Sequence, residues 1–241
     1  MQLINKKYQH TIIGSGFVGK NFKKIKSFLR RKNIVIYAAG VSNSKTKNKL
    51  RLNREFKTVK KFKKYIDNKI IVYISTCSIK DNTRNKSFYV KNKIKIENFI
   101  KNNFKKFIIL RFPELVGKSK NPNTLINFFY TKIINGKKFS VIKNGKRNIL
   151  DIDDAIKISK NILSNKKNLN KTINVFNKFY YTPIEITKSI EKLTNIKGNY
   201  DLVKQKKGSW KLNYKIISGE VRKSKVTFSK KYLYNILKKY Y

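Results

Sequence analysis

The sequence predicts an α/β protein in which a parallel β-sheet carries helices on both faces. Short, almost wholly apolar segments alternate with longer segments whose apolar residues recur at helical spacing. Strands that are apolar on both sides are typical of parallel sheets buried between two layers of helices. The predicted strands are residues 10–13, 33–40, 69–76, 106–112 and 171–176.

Helices are expected between these strands, and the chain shows neither internal repeats nor a Pro/Gly/Ser-rich linker. In the helix at 47–66, the buried face is expected to comprise Leu50, Phe56, Val59, Phe62 and Ile66. A further strand is predicted at 148–152 and a C-terminal helix near 229–239. The other predicted helices are residues 17–31, 88–102, 123–135, 153–163 and 183–193.

Length and composition favour a soluble cytoplasmic protein. The chain has 241 residues, 40% of them hydrophobic, which suffices for a sizeable core. No apolar run approaches the ~20 residues that a transmembrane helix needs, and residues 1–10, which end at His10, lack the apolar segment of a signal peptide. With one cysteine and one histidine, we expect neither an internal disulfide nor a metal site.

The formal net charge of +47 raises the question of a nucleic-acid partner. Eight of the 59 basic residues are arginine, so 51 are lysine, and they are spread along the whole chain. Lys, Asn, Ile, Phe and Tyr, which have A+T-rich codons, are common, whereas alanine is scarce. Genome composition therefore explains the excess better than nucleic-acid binding does, and a polyanion binder remains the third functional alternative.

A glycine-rich turn, Gly14-Ser15-Gly16-Phe17-Val18-Gly19, lies between the first strand and the first helix. In this context three glycines permit a tight turn, close approach of a pyrophosphate and close helix–strand packing. A purely structural turn is the alternative. The acidic residue expected about 20 residues later, on the adenosine ribose, is missing, because residues 33–45 contain no Asp or Glu.

Ordered motifs along residues 10–195 carry a family resemblance. They are GSGFVG, IVIYAAG, YISTCS, Tyr89 with Lys93, LRFPELVG, ILDIDDA and YYTPIEI. In this order they resemble the NAD(P)-dependent epimerase/dehydratase family, the extended short-chain dehydrogenases. The resemblance implies a Rossmann-like doubly wound sheet in residues 1–115, to which residues 148–176 return. It also implies a small substrate-binding lobe made of residues 116–147 and 177–241.

The resemblance implies NAD or NADP as cofactor. Its binding residues would be Gly14, Gly16, Phe17, Val18, Gly19, Ala38, Ala39, Gly40 and Pro113. Because the IYAAG segment directly follows the first helix, the second and third strands of the family are expected to be missing, together with the ribose-binding acid. Arg30, Arg31 and Lys32 could face a 2′-phosphate, but a solvated helix end is the favoured interpretation.

Thr76, Tyr89 and Lys93 are the catalytic residues that the resemblance implies. Tyr-x-x-x-Lys occurs four times, and chance alone supplies about three matches, so only position identifies Tyr89. Tyr89 and Lys93 share one helix face, and Lys93 is expected to lower the pKa of the Tyr89 phenol. The interval from Thr76 to Tyr89 is about half the family's usual one.

Other residues of the motifs receive less direct interpretations. Cys77 is expected to be a structural thiol, since no histidine is available to activate it. Asp153 and Asp154 are expected to cap a helix rather than to act in catalysis. Asn123 and Arg147 lie where the family binds the diphosphate of its substrate.

The leading functional hypothesis is an oxidoreductase or epimerase acting on a nucleotide-linked sugar, in surface polysaccharide biosynthesis. A reductase or epimerase is favoured over a 4,6-dehydratase, because Cys77 and Ser78 stand where the dehydratases carry an acid pair. The main alternative is a non-catalytic binding protein with a degraded cofactor site. Members of the family often form homodimers through the helices that correspond to 47–66 and 88–102. Both helices carry many lysines here, so a tight homodimer is expected only if their apolar faces outweigh the repulsion between like charges.

Overall fold

Five parallel strands form the central sheet of the computed structural model, which describes residues 11–66, 68–81, 87–119, 121–204 and 212–241. Two segments lie outside the described residues: the N-terminal one with His10, and residues 82–86 between the predicted strand at 69–76 and the predicted helix at 88–102. The strands follow the spatial order β1-β2-β3-β4-β8. Their bounds are β1 Ile12–Ile13, β2 Ile34–Tyr37, β3 Ile70–Thr76, β4 Phe107–Phe112 and β8 Lys171–Asn174.

The first strand pairs directly with the strand that follows the first helical segment. Ile12 lies opposite Ile36 and Ile13 opposite Tyr37, in parallel register. Within the described part of the chain β1 is therefore an edge strand, with no strand on its other side. This confirms the predicted doubly wound sheet in its shortened form, without the family's second and third strands.

Helices cover both faces of the sheet, as predicted. The first predicted helix is interrupted by a 3₁₀ turn at Lys23–Ile25. A helix at Lys215–Lys223, in a polar region, was not predicted. The helices are α1 Phe17–Phe22, α2 Lys26–Arg31, α3 Lys49–Phe62, α4 Phe88–Asn103, α5 Leu125–Ile134, α6 Ile152–Ser164, α7 Pro183–Thr194, α8 Lys215–Lys223 and α9 Tyr232–Tyr240.

Two small parallel pairs lie outside the central sheet. Strands β5 (Glu114–Val116) and β7 (Ile149–Asp151) pair with each other, so the strand predicted at 148–152 forms without joining the main sheet. Strands β6 (Phe139–Ile142) and β9 (Tyr200–Val203) form the second pair. The predicted division into a core and a substrate lobe stays a prediction.

The two faces of the sheet bury alternate residues of each strand. Val35 and Tyr37 of β2 pack with the apolar faces of α3 and α4, whereas Ile34 and Ile36 face the core formed with α1, α2 and α6. Because successive side chains of a strand point to opposite faces, burial on both sides requires the continuous apolar pattern seen in the sequence.

The buried face of α3 differs from the prediction at its N-terminal end. Leu50 is 81% exposed, and the buried residues are Leu52, Glu55, Val59 and Phe62. These four positions lie on one helical face, which includes an acidic residue in place of an apolar one. The prediction followed hydrophobicity alone and therefore selected Leu50 rather than Glu55.

Side-chain caps set where the helices beside the sheet begin. Asn48 accepts a hydrogen bond from Arg51 N at 3.0 Å, and Ser87 accepts one from Val90 N at 3.2 Å. Each cap satisfies a backbone N–H that the first helical turn leaves unpaired. The caps therefore fix the first turns of α3 and α4, the two helices that supply Glu55 and Tyr89.

Asp151, rather than Asp153 or Asp154, caps α6, which corrects the prediction. Its Oδ1 accepts a hydrogen bond from Asp153 N at 2.7 Å, while Asp153 and Asp154 lie in the first turn. Lys239 pairs with Asp151 and Asp153 at 2.8 Å each, and Tyr232 donates to Asp154 at 2.7 Å. The three carboxylates thus attach α9 to the start of α6.

Candidate active site

The carboxyl ends of the first four strands meet at one edge of the sheet, where a cavity of about 430 Å³ opens. The glycine turn begins directly after β1, Ala38 follows β2, Thr76 ends β3, and Pro113 follows β4. In open parallel sheets ligands bind outside the carboxyl ends of the strands. The cavity therefore lies where the fold places a binding site.

Most of the residues predicted to form the site border this single cavity. Gly14, Gly19 and Ala39 are the exceptions, because they pack behind the cavity wall. The eleven that line it are Gly16, Phe17, Val18, Ala38, Gly40, Thr76, Tyr89, Lys93, Pro113, Asn123 and Arg147. Their roles toward a ligand stay predictions.

The three glycines of the turn are needed for different reasons. A Cβ on Gly14, whose φ is +117°, would lie 2.5 Å from the carbonyl carbon of Ala38, and a Cβ on Gly19 would lie 2.1 Å from the carbonyl oxygen of Gly14. Packing alone therefore requires these two glycines. A Cβ on Gly16 would meet no atom within 4 Å, and its φ of −72° suits any residue. Since Gly16 borders the cavity, the turn leaves open space there that a ligand could enter.

Tyr89, Thr76 and Lys93 come together at the floor of the cavity. The Lys93 ammonium lies 5.6 Å from the centre of the Tyr89 ring and donates to the carbonyl oxygen of Ile74 at 3.3 Å. The side chains of Tyr89 and Thr76 interact, which favours the ionised form of Tyr89. Because α4 begins at Phe88, Tyr89 stands in its first turn, beside the end of β3. Of the four Tyr-x-x-x-Lys matches, only this one lines the cavity.

Lys93 is also paired with an acidic residue that the sequence interpretation missed. Glu55 of α3 accepts a hydrogen bond from Lys93 Nζ at 2.8 Å, and both side chains are almost completely buried. Tyr73 donates to the same Glu55 oxygen at 2.7 Å, and Val41 N donates to the other at 3.2 Å. A buried charge is tolerated when it is paired and hydrogen-bonded in this way.

Glu55 changes the expected electrostatics of Tyr89. Burial raises the pKa of the Tyr89 phenol, Lys93 lowers it, and the Glu55 carboxylate raises it again; the net pKa is above the ordinary value of 10.0. Lys93 therefore lowers this pKa, as expected, but burial, which is the largest cause, and the Glu55 carboxylate together outweigh it. The net pKa of the Tyr89 phenol in the free protein rises and does not move toward neutrality.

Gly40 makes room for this ion pair. A Cβ at position 40 would lie 2.6 Å from Lys93 Nζ and 2.8 Å from Glu55 Oε1. A side chain there would force the ammonium and the carboxylate apart. Gly40, which was predicted to face a cofactor, is thus also required by the ion pair.

The cavity is nearly neutral although the chain is strongly basic. Among its described lining residues the charged ones are Lys93, Arg147, Asp81 and Glu114, two cations and two carboxylates. A site for a polyanion would need an excess of cations. Among the described residues, the lysine excess therefore lies outside this cavity. The interpretation from genome composition stays a prediction.

Two further predictions concern residues near the site. Cys77 is fully buried, its thiol donates to the carbonyl oxygen of Arg111 at 3.2 Å, and burial raises its pKa. These observations fit a structural thiol and not a nucleophile. Arg30, Arg31 and Lys32 are exposed at the end of α2, as expected of a solvated helix end.

Glu55 and Glu114 are two charged residues of the site that the sequence analysis did not single out. For Glu55 a signal existed, since it is one of only 12 acidic residues and shares a helical face with Leu52 and Val59. Glu114 lies inside the motif LRFPELVG, but nothing in the sequence marks its side chain as facing the cavity.

Comparison with known proteins identifies the fold. No family model and no curated protein sequence matches the chain. Among solved structures, the UDP-glucuronic acid 4-epimerase of Bacillus cereus, in complex with UDP-glucuronic acid and NAD, aligns with a TM-score of 0.68 and 17% identity, over 90% of this chain and 76% of that one. The UDP-glucose 4-epimerase of Thermus thermophilus, in complex with NAD, gives 0.69 and 14%, over 94% and 83%.

A third similar structure belongs to an enzyme of a different reaction class. It is the dTDP-glucose 4,6-dehydratase of Bacillus anthracis in complex with NAD, with a TM-score of 0.64 and 15% identity, over 91% of this chain and 76% of that one. The prediction from the ordered motifs is confirmed at the level of fold: the chain has the extended short-chain dehydrogenase fold, in a shortened form.

In the described residues no helix is long and apolar enough to cross a membrane.

Proposed function

We propose that the protein is an NAD(P)-dependent oxidoreductase or epimerase acting on a nucleotide-linked sugar, with surface polysaccharide biosynthesis as its setting. The observation that carries the proposal is that Thr76, Tyr89 and Lys93 border the same cavity as the open glycine position of the turn. Similar structures were crystallised with NAD and with nucleotide sugars, which supports the same ligand classes here.

The residues present fit one half of a dinucleotide better than the other. The open space at Gly16 suits a pyrophosphate, and the neighbourhood of Pro113 suits the nicotinamide end. For the adenosine, the described part of the chain has no strand on the outer side of β1 and therefore no acidic residue carried there. We therefore expect weak binding, with little discrimination between NAD and NADP. When bound, the nicotinamide would supply hydride transfer.

Tyr89 would act mainly as a proton donor. Because its pKa lies above 10.0, the phenol holds its proton at neutral pH and can protonate the oxygen of a sugar ketone as it is reduced. Thr76 would hold that oxygen by a hydrogen bond, and Lys93 would favour the tyrosinate that results. In the direction of oxidation the phenol must first lose its proton, so that direction should accelerate as the pH rises.

Cofactor binding and one substitution test the proposal. We expect calorimetric titration with NAD⁺ and NADP⁺ to detect binding, and Tyr89→Phe to reduce hydride transfer by at least about 100-fold while leaving cofactor affinity unchanged. Tyr65→Phe is the matched control, since Tyr65 opens another Tyr-x-x-x-Lys match but is 39% exposed and lies outside the cavity lining. Absence of binding at about 1 mM would refute the enzyme assignment.

The non-catalytic alternative is favoured by the missing strands and by the compensation of Lys93. It predicts that NAD(H) binds weakly or not at all and that Tyr89→Phe changes no measurable activity. A bound cofactor with no turnover on any nucleotide sugar would support it.

A further inference from the structure

We infer that Glu114 selects the substrate of the proposed active site, favouring a sugar that presents a hydroxyl or an ammonium group and disfavouring one that presents a carboxylate. This inference rests on the proposed function and adds a substrate class to it. Its evidence is that the Glu114 side chain has no hydrogen-bond or ion-pair partner among the described residues, whereas every other described acidic residue has one.

Carboxylates are rare in this chain, and nearly all of them are engaged. Of the 12 acidic residues, Asp67 lies outside the described part, and Glu114 alone among the other eleven has a side chain with neither a hydrogen-bond nor an ion-pair partner there. The engaged residues are Glu55, Asp81, Glu97, Asp151, Asp153, Asp154, Glu185, Glu191, Asp201 and Glu220. In a chain with 59 basic residues, a partly buried carboxylate without a cation is an exception that calls for a cause.

The backbone holds Glu114 at the cavity wall. Glu114 opens β5 directly after Pro113, and its N–H donates to the carbonyl oxygen of Asn148 at 3.2 Å. The residue lines the cavity together with Tyr89, and its charge opposes ionisation of the Tyr89 phenol. The carboxylate is thus within electrostatic reach of the hydroxyl at which the proposed chemistry occurs.

A ligand in this cavity would displace the water that solvates Glu114. A carboxylate that loses its water needs hydrogen-bond donors in exchange, and sugar hydroxyls or an ammonium group supply them. A second carboxylate supplies none and adds repulsion between like charges. Two cations lie in the described lining. Lys93 is already paired with Glu55, and Arg147 is predicted to bind the diphosphate of the substrate rather than its sugar.

The test compares two ligands that differ only in this group. We expect calorimetry on the full chain to show UDP-glucose binding at least about tenfold more tightly than UDP-glucuronic acid. Glu114→Gln, which is nearly isosteric, should reduce this ratio of affinities to about twofold or less, because UDP-glucuronic acid should bind the variant more tightly. Asp201→Asn is the control, because it removes the same charge from an exposed pair outside the cavity and should leave the ratio unchanged.

Salt provides a second measurement that requires no variant. Raising the sodium chloride concentration to about 0.5 M should reduce the preference of the wild-type protein for UDP-glucose over UDP-glucuronic acid, because salt screens repulsion between partly exposed charges. A ratio that neither Glu114→Gln nor salt changes, or a wild-type protein that prefers the uronate, overturns this inference and leaves the proposed function standing. If the wild-type protein binds neither nucleotide sugar, the inference falls together with the proposed function.

Discussion

Replacing single glycines of the turn separates a structural role from a ligand-binding one. We expect Gly16→Ala to preserve the fold and to weaken dinucleotide binding, whereas Gly19→Ala should destabilise the fold itself. The reason is geometric: a Cβ at position 16 meets no atom within 4 Å, while one at position 19 lies 2.1 Å from the carbonyl oxygen of Gly14.

The expected magnitudes follow from these distances. At Gly19 the turn must shift to relieve a contact with the backbone, and such overpacking typically costs about 1–3 kcal/mol of unfolding free energy. At Gly16, alanine is a poorer N-cap by roughly 0.5–1 kcal/mol, which is offset by about 0.4–1 kcal/mol because the unfolded chain becomes less flexible. The net change should stay within about 0.5 kcal/mol. A methyl group in the phosphate path should still reduce NAD⁺ affinity at least tenfold, or about 1.4 kcal/mol.

Urea unfolding and NAD⁺ titration of the same preparations give the two readouts. Gly219→Ala serves as the control, because a Cβ there also meets no atom within 4 Å but lies on α8, outside the cavity lining. It should leave NAD⁺ affinity unchanged. If Gly16→Ala binds NAD⁺ as tightly as the wild-type protein does, the turn does not contact the cofactor. If it loses more than about 2 kcal/mol of stability, our interpretation of the open space is wrong.

Two further predictions concern buried charges and hydroxyls. Glu55→Gln should lower the unfolding free energy by about 3–5 kcal/mol in urea, because it leaves the Lys93 ammonium buried without its counter-charge. The exposed control Asp201→Asn should lower it by less than about 1 kcal/mol, and equal losses would contradict the argument. Burial raises the pKa of Tyr37 and Tyr73, so the folded state keeps protons that the unfolded state releases; stability should be intact below about pH 10 and fall above it. A stability that is flat from about pH 9 to 11 in urea melts would exclude this linkage.

Local patterns were sufficient to predict most of the fold. Strands that are apolar on both faces and helices with a regular apolar face leave clear periodic signals, and each such segment forms close to its predicted bounds. The absence of two strands could also be predicted, since one helical segment separates the glycine turn from the next strand. The strands β5, β6 and β9 were not predicted, although β7, which is as short as β5, was.

The electrostatics of the site could not be predicted in the same way. Glu55 and Lys93 are 38 residues apart, and their pairing depends on how α3 and α4 pack against the sheet. Helical spacing places Glu55 on the buried face but does not identify its partner. The raised pKa of Tyr89 was not predicted, because the expectation included the neighbouring cation and omitted burial, which is the largest cause, and the Glu55 carboxylate.

The missing strands affect the two ends of the proposed cofactor site unequally. Thr76 ends β3, which stays in the interior of the sheet between β2 and β4, and Tyr89 and Lys93 lie on α4, which packs over it. The strand and the helix that carry the proposed reacting groups therefore do not lie at the shortened edge of the sheet. The glycine turn follows β1, which has become the edge, so an adenosine would extend beyond the last described strand. It follows that shortening the sheet should weaken cofactor affinity much more than it disturbs the geometry of proton transfer.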